Sequence, residues 1–285
     1  MLPTFVIGLR EGLEAALIVG IVAAFLSARG RRDAVRWVWA GVALAVALCA
    51  GFAAVLQVVS AELPQRQQEA LETVIGLVAV GLVTYMIVWM RRHARGMKKH
   101  LQMSVGEALA AGSAWALVAM AFLAVLREGF ETSVFLLAAF QASVAPIAAG
   151  LGALAGVAVA ATLGYGIYRG GVKLDLQRFF TFTGVVLVLV AAGLLAAAAH
   201  TAHEAGWLDL GQSQALDLTW LVRPGTVLAS VLTGVLGMQP KPVVAEVAAW
   251  LAYVVPMTLY VVWPSLRRPR PAPARPPVPA AAHQA

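Results

Sequence analysis

Two short stretches of this 285-residue chain place charged side chains where almost everything around them is apolar. The first reads Leu9-Arg10-Glu11-Gly12-Leu13-Glu14 and the second Leu126-Arg127-Glu128-Gly129-Phe130-Glu131, both of the form L-R-E-G-x-E. At about 100° of rotation per residue, the two glutamates of a helical motif stand about 60° apart, and the arginine is at i, i+4 from the second glutamate. Arg10, Glu11 and Glu14 therefore share one arc of a helix, and Arg127, Glu128 and Glu131 share another. Carboxylate oxygens grouped in this way suit hard cations, and a trivalent ion gains most from several of them. The four glutamates outnumber the two arginines, which would hold the acids when no ion is present and tune the affinity.

Positioning such motifs falls to membrane helices. The chain is 61% hydrophobic and 12% charged, against about 25% charged for a soluble domain. A membrane helix needs about 20 mostly apolar residues. Seven such stretches are expected, at 3–28, 37–60, 70–90, 113–140, 145–168, 179–202 and 242–263. Most of the 21 basic residues fall after the first, third, fifth and seventh of them: Arg29 to Arg36, Arg91 to Lys99, Arg169 to Arg178, and Arg267 to Arg275. The opposite connections hold Arg66, Arg223 and Lys241 beside Glu62, Glu69, Glu204, Asp209 and Asp217. By the positive-inside rule the N-terminus is outside and the C-terminus cytoplasmic.

Arg10 and Arg127 fall within expected spans, where a charge costs about 2.5–3.5 kcal/mol on the insertion scale. Six charges in two spans require a compensating role. Glu11 lies about 14 Å from the outer end of its helix, near the bilayer centre, and the second motif falls near the middle of its own span. The first helix enters from outside and the fourth from the cytoplasm. Two three-helix units of opposite orientation form the inverted repeat of many transporters, whose site lies at the midplane between repeats.

The fold class expected is therefore an all-α integral membrane protein: seven transmembrane helices, two inverted three-helix repeats and one added helix. Residues 1–92 form the first repeat, 93–112 a basic cytoplasmic loop and lead-in, and 113–203 the second repeat. An external loop with a short interfacial or re-entrant helix covers 204–241, the seventh helix 242–264, and a disordered cytoplasmic tail 265–285. The first helix is read as retained, because Met1 to Thr4 lack a basic signal region.

Composition and motifs weigh against other classes, with a membrane di-iron enzyme kept as the less favoured alternative. The net charge of +7 is gathered in loops rather than along a stripe interleaved with aromatics, which argues against nucleic acid. One cysteine, Cys49, allows neither an intramolecular disulfide nor a cysteine-based zinc site. No Walker-type phosphate loop occurs. A membrane di-iron enzyme would be expected to add E-x-x-H ligands, and neither motif contains a histidine.

The doubled R-E-G-x-E, in the first and fourth of seven helices, resembles the oxidase-dependent iron permeases, the fungal high-affinity and bacterial EfeU-type transporters. The resemblance covers nearly the whole chain. It implies a transporter rather than an enzyme, with no permanently bound cofactor and iron as its substrate. It further implies uptake as Fe(III) formed by a partner oxidase, with an extracytoplasmic oxidase or iron-delivery protein as partner, across a cell (inner) membrane that the chain crosses several times, among lipid. It assigns metal binding to Glu11, Glu14, Glu128 and Glu131, and site tuning to Arg10 and Arg127. Residue chemistry alone says only "hard cation", so lead or manganese stays as the alternative cargo.

Further residues are weighed against ordinary roles. Glu69 and Glu72, at the outer start of the third helix, are candidate entrance acids, although a helix N-terminus favours acids anyway. His200, His203 and Glu204 cluster at the outer end of the sixth helix as candidate entrance ligands or as an ordinary polar end. Glu107 marks a candidate exit or a helix-start acid. Met86, Met90, Met97 and Met103 read as packing. Gly152 and Gly156 read as a close helix contact. Gly12 and Gly129 let the two motif helices approach or unwind, and Trp37, Trp39, Trp89 and Trp263 read as interface anchors.

Overall fold

In the computed structural model the chain is helical throughout most of the residues described: 1–93, 114–143, 145–168, 176–220 and 239–262, with positions 222, 232, 233, 236 and 237 between the last two. Seven long helices run through them. They are α1 (Leu2–Ala28), α2 (Arg32–Glu62), α3 (Gln65–His93), α4 (Ala114–Gln141), α5 (Pro146–Tyr168), α6 (Leu176–Glu204) and α7 (Val244–Val262). Each coincides with an expected span to within a few residues at either end. Most of the segment read as an interfacial or re-entrant helix, the cytoplasmic lead-in with Glu107, and the tail lie outside the described residues.

Local sequence sets the ends. Pro3 in the first turn of α1 and Pro146 at the start of α5 occupy positions where a missing N–H costs nothing. Gly30 after α1 has φ +73°, with Arg31 N donating to the Leu26 carbonyl at 3.0 Å and Gly30 N to that of Ser27 at 3.1 Å. That is the Schellman arrangement, which only a residue without Cβ adopts freely. Gly206 ends α6 the same way, at φ +76°, with Trp207 N on Ala202 O at 2.8 Å and Gly206 N on His203 O at 2.8 Å.

Five helices, all but α1 and α4, are long and apolar enough by composition to cross a membrane. The two exceptions are 27 and 28 residues long and carry the charged motifs, and those charges set them apart. Large apolar side chains such as Leu44, Val55, Leu77, Leu123, Leu154 and Phe182 lie exposed along the helices. A water-soluble surface rarely carries so continuous an apolar coat, and lipid solvates it at no cost. The chain is a membrane protein.

Two apolar clusters divide the interior. One joins Val6 and Ile7 of α1 to α3, to the Val134–Ala139 part of α4 and to α6. The other joins Val19, Val22 and Leu26 of α1 to α2 and to Leu117, Ala121 and Val125 of α4. α1 and α4 thus pass through the clusters in opposite order and run antiparallel. In each, the L-R-E-G-x-E stretch falls at the junction between clusters. Around them α1 packs on α5 and α4, α2 on α4, α3 on α6, and α6 on α7.

Candidate metal site

The apolar clusters above and below leave one charged layer in the middle of the bundle. There Glu11 of α1 meets Glu128 and Glu131 of α4, each presenting a carboxylate oxygen within 4.8 Å of the others. Glu11 is 1% exposed and Glu128 6%. Neither oxygen of Glu11 has a hydrogen-bond partner. Buried carboxylates are normally bonded, and an orphaned pair aimed into an acidic cluster suits a cation ligand. Three converging carboxylates offer the oxygen donors that a hard cation takes.

The fourth glutamate stands apart from this trio. Glu14 turns to Arg10, with Oε1 at 3.5 Å from Nε, an ion pair without a hydrogen bond. Arg10 is itself 1% exposed, its guanidinium carbon 5.9 Å from the centre of the Phe180 ring. Arg127 lies in a different setting. Its Nε donates to Glu131 at 3.0 Å and is 3.9 Å from Glu128, while its side chain is 53% exposed and its guanidinium lies 5.8 Å from the Trp89 ring centre. The arginines that share a sequence position are thus one sealed and one half open.

The motif glycines serve close packing, but not between α1 and α4. A Cβ on Gly12 would stand 2.9 Å from Ala160 of α5, and one on Gly129 would stand 2.8 Å from Cys49 Sγ of α2. Both helices run unbroken through their motifs, so neither unwinds. Gly152 and Gly156 of α5 receive the backbone of α1 at Met1 and Phe5, as the close-contact reading expects. α2 is fixed to the second motif by Cys49 Sγ on the Leu126 carbonyl at 3.5 Å and by Ser133 Oγ on the Cys49 carbonyl at 3.2 Å. The Phe52 and Phe130 rings add a contact at 4.5 Å.

The second group of polar residues gathers where α3, α6 and α7 end together. His200 Nδ1 is 2.8 Å from Glu246 Oε1, and Nε2 is 3.5 Å from Glu204. Glu69 lies within hydrogen-bond reach of Glu204. Thr73 and Thr201 share a hydrogen bond of 2.7 Å beside them. Glu72 turns away to accept from Gln68 at 3.2 Å, and His203 pairs with the Leu208 carbonyl at 2.8 Å, so the two histidines have separate partners.

Glu246 has no counterpart among the residues singled out from sequence, where it looks like any acid in a first helical turn. The signal available was its place after Pro242 at the head of an apolar helix. It is buried, and it lines a cavity of about 640 Å³ beside the first turn of α1. Met86 and Met90 are core residues of the first cluster. Glu107, Met97, Met103 and Trp263 lie outside the described residues.

Comparison with known proteins identifies the family. Residues 1–266 match the model of the iron permease FTR1 family. The ferrous iron permease EfeU of Yersinia pestis is 43% identical over 258 residues, covering 90% of this chain and 91% of its own. EfeU of Escherichia coli O6:K15:H31 is 41% identical over 266 residues, 93% of this chain and 96% of its own. EfeU of Yersinia pseudotuberculosis is 44% identical over 254 residues, 88% and 89% of the two chains. No solved structure matches. These relatives are permeases, which are transporters and not enzymes. With the match running through both charged motifs and all seven helices, the chain belongs to the iron permease FTR1 family.

Proposed function

We propose that this chain carries iron inward across a cell (inner) membrane through the carboxylate trio of Glu11, Glu128 and Glu131, with Glu14, held beside them by Arg10, as the fourth acid of the site. The observation that carries this reading is the unbonded, buried carboxylate of Glu11 within 4.8 Å of two more on the facing helix. All seven helices cross the membrane in it, α1 and α4 included, because their charges are gathered at one layer where Arg10, Glu11 and Glu128 are buried among neighbouring helices.

An inverted repeat is supported by the pattern of packing. Exchanging α1 with α4, α2 with α5 and α3 with α6 turns the α1–α5 contact into the α4–α2 contact and leaves α1–α4 and α3–α6 unchanged. Antiparallel α1 and α4 are what such a repeat requires. The basic loops then set the N-terminus outside and the C-terminus in the cytoplasm.

The names of the relatives specify ferrous iron. In the present reading iron arrives as Fe(II), an extracytoplasmic oxidase passes its electron to dioxygen to form Fe(III), or a delivery protein hands over Fe(III) already formed, and the trio accepts that ion because oxygen donors favour the harder charge. The His200, Glu204, Glu69 and Glu246 group at the far end of α6 attracts the cation to the entrance, with Glu72 and His203 at its edge. A membrane potential contributes about 2.3 kcal/mol per charge per 100 mV toward a negative interior.

Uptake of radiolabelled iron by cells that depend on this chain tests the reading. Glu11→Gln and Glu128→Gln are expected to abolish it while the protein remains in the membrane, and unchanged uptake by both variants would sink it. Manganese or lead that suppresses iron uptake at equal concentration would instead favour a less selective metal-cation carrier.

A further inference from the structure

The two motifs repeat the same residues, yet their arginines have different freedom. Arg10 is enclosed at 1% exposure, paired with Glu14 at 3.5 Å and faced by Phe180. What sets it apart from Arg127 is this enclosure, since each arginine has an aromatic ring within about 6 Å. Arg127 spans two of the three trio carboxylates, at 3.0 Å from Glu131 and 3.9 Å from Glu128. Its guanidinium already lies 5.8 Å from the centre of the Trp89 ring, and 53% of its side chain is exposed. An incoming metal cation needs the same oxygens that Arg127 holds. A guanidinium can leave a carboxylate and settle on an indole face, since the ring quadrupole attracts a cation at this distance.

We propose that Arg127 is a tethered counter-ion that the substrate cation displaces onto Trp89, while Arg10 is a fixed positioning residue for Glu14. Trp89, which its sequence position marks only as an interface anchor, thereby becomes the resting place of the displaced charge. This rests on the reading of the trio as the iron site. It assigns different work to two identical motifs: α1 supplies the rigid half of the site and α4 the exchangeable half. A permanent cage of carboxylates would release its ion slowly, whereas a returning guanidinium takes the oxygens back as the ion leaves.

Equilibrium binding of Fe(III) supplied as its citrate complex, with the purified full chain in detergent, tests it. Glu128→Gln serves as the control for the site itself. Loss of binding there keeps the underlying reading, and unchanged binding there overturns both. Arg127→Gln removes the competitor, so the apparent affinity is expected to rise about tenfold if the guanidinium holds the site roughly nine-tenths of the time. Trp89→Leu removes the alternative seat, so affinity falls severalfold. In the double variant the Trp89 change has no further effect, because the charge it serves is gone. Arg127→Lys, which keeps the charge but not the planar stacking group, falls between wild type and Trp89→Leu. Tighter binding in Arg127→Gln also follows from the loss of a stationary positive charge, so the dependence of the Trp89→Leu effect on Arg127 is what decides for exchange. Weaker binding in Arg127→Gln, or an equal effect of Trp89→Leu with and without Arg127, would overturn the exchange.

Discussion

Glu11 on α1 and Glu128 on α4 bring carboxylate oxygens within 4.8 Å of each other, with Glu131 beside them and Arg10–Glu14 paired separately at 3.5 Å. Two like charges at that separation repel, and burial raises the cost. They stay together because α1 is held by α5 and α4 by α2 on their other sides. The glutamates of the first motif should therefore not be equivalent. Glu11→Gln is expected to weaken iron binding by about 100-fold or more, beyond what a supporting residue around a metal site usually costs, and Glu14→Gln by about tenfold. Equilibrium dialysis with each variant checks this, and equal losses would place Glu14 inside the primary ligand set.

The close face between α1 and α5 makes a second expectation. A Cβ on Gly12 would stand 2.9 Å from Ala160, and one on Gly164 would stand 2.6 Å from Ala16, whereas Gly51 and Gly81 have nothing within 4 Å. Gly164→Val should cost about 1–3 kcal/mol through overpacking. Gly51→Ala and Gly81→Ala should be neutral or stabilise by up to about 1 kcal/mol. Thermal unfolding in detergent, followed by the loss of monodisperse protein, separates the two groups.

Helix α7 is tied to α3 by the Thr84 and Tyr253 hydroxyls at 2.8 Å. Hydrogen bonds between membrane helices are worth about 0.6 kcal/mol on average. Tyr253→Phe should therefore lower stability by about that amount and leave iron uptake unchanged, as the same unfolding and uptake assays would record.

At the C-terminal end of α6, His200 is placed between Glu246 at 2.8 Å and Glu204 at 3.5 Å. If this group gathers the cation, Glu246→Gln and Glu204→Gln should raise the iron concentration for half-maximal uptake by about tenfold, and more at low salt, with the maximal rate kept. A fall in maximal rate with no change in half-saturation would place these residues in the transport step instead.

The seven helices were legible because apolar length and Gly or Pro punctuation are local properties of the chain, and the observed ends fall within a few residues of those expected. Glu11, Glu128 and Glu131 were legible because a charge inside an apolar run is costly and persists only where a partner or an ion compensates it. What the sequence could not reveal depends on neighbours. Gly12 and Gly129 look alike in the motif, but one meets Ala160 of α5 and the other Cys49 of α2. Arg10 and Arg127 likewise share a motif position, but the neighbouring helices enclose the first and leave the second half exposed. Glu246 was hidden because an acid in a first helical turn is ordinary, and its pairing with His200 follows from how α7 packs on α6.

Iron flux into proteoliposomes that hold only this chain tests the central claim most directly, with Fe(II) and Fe(III) supplied separately to wild type and Glu128→Gln under an inside-negative potential. Wild type should accumulate Fe(III), or Fe(II) once an oxidant is present outside, and Glu128→Gln should accumulate neither. Equal accumulation by the two proteins would contradict transport through the Glu11, Glu128 and Glu131 site.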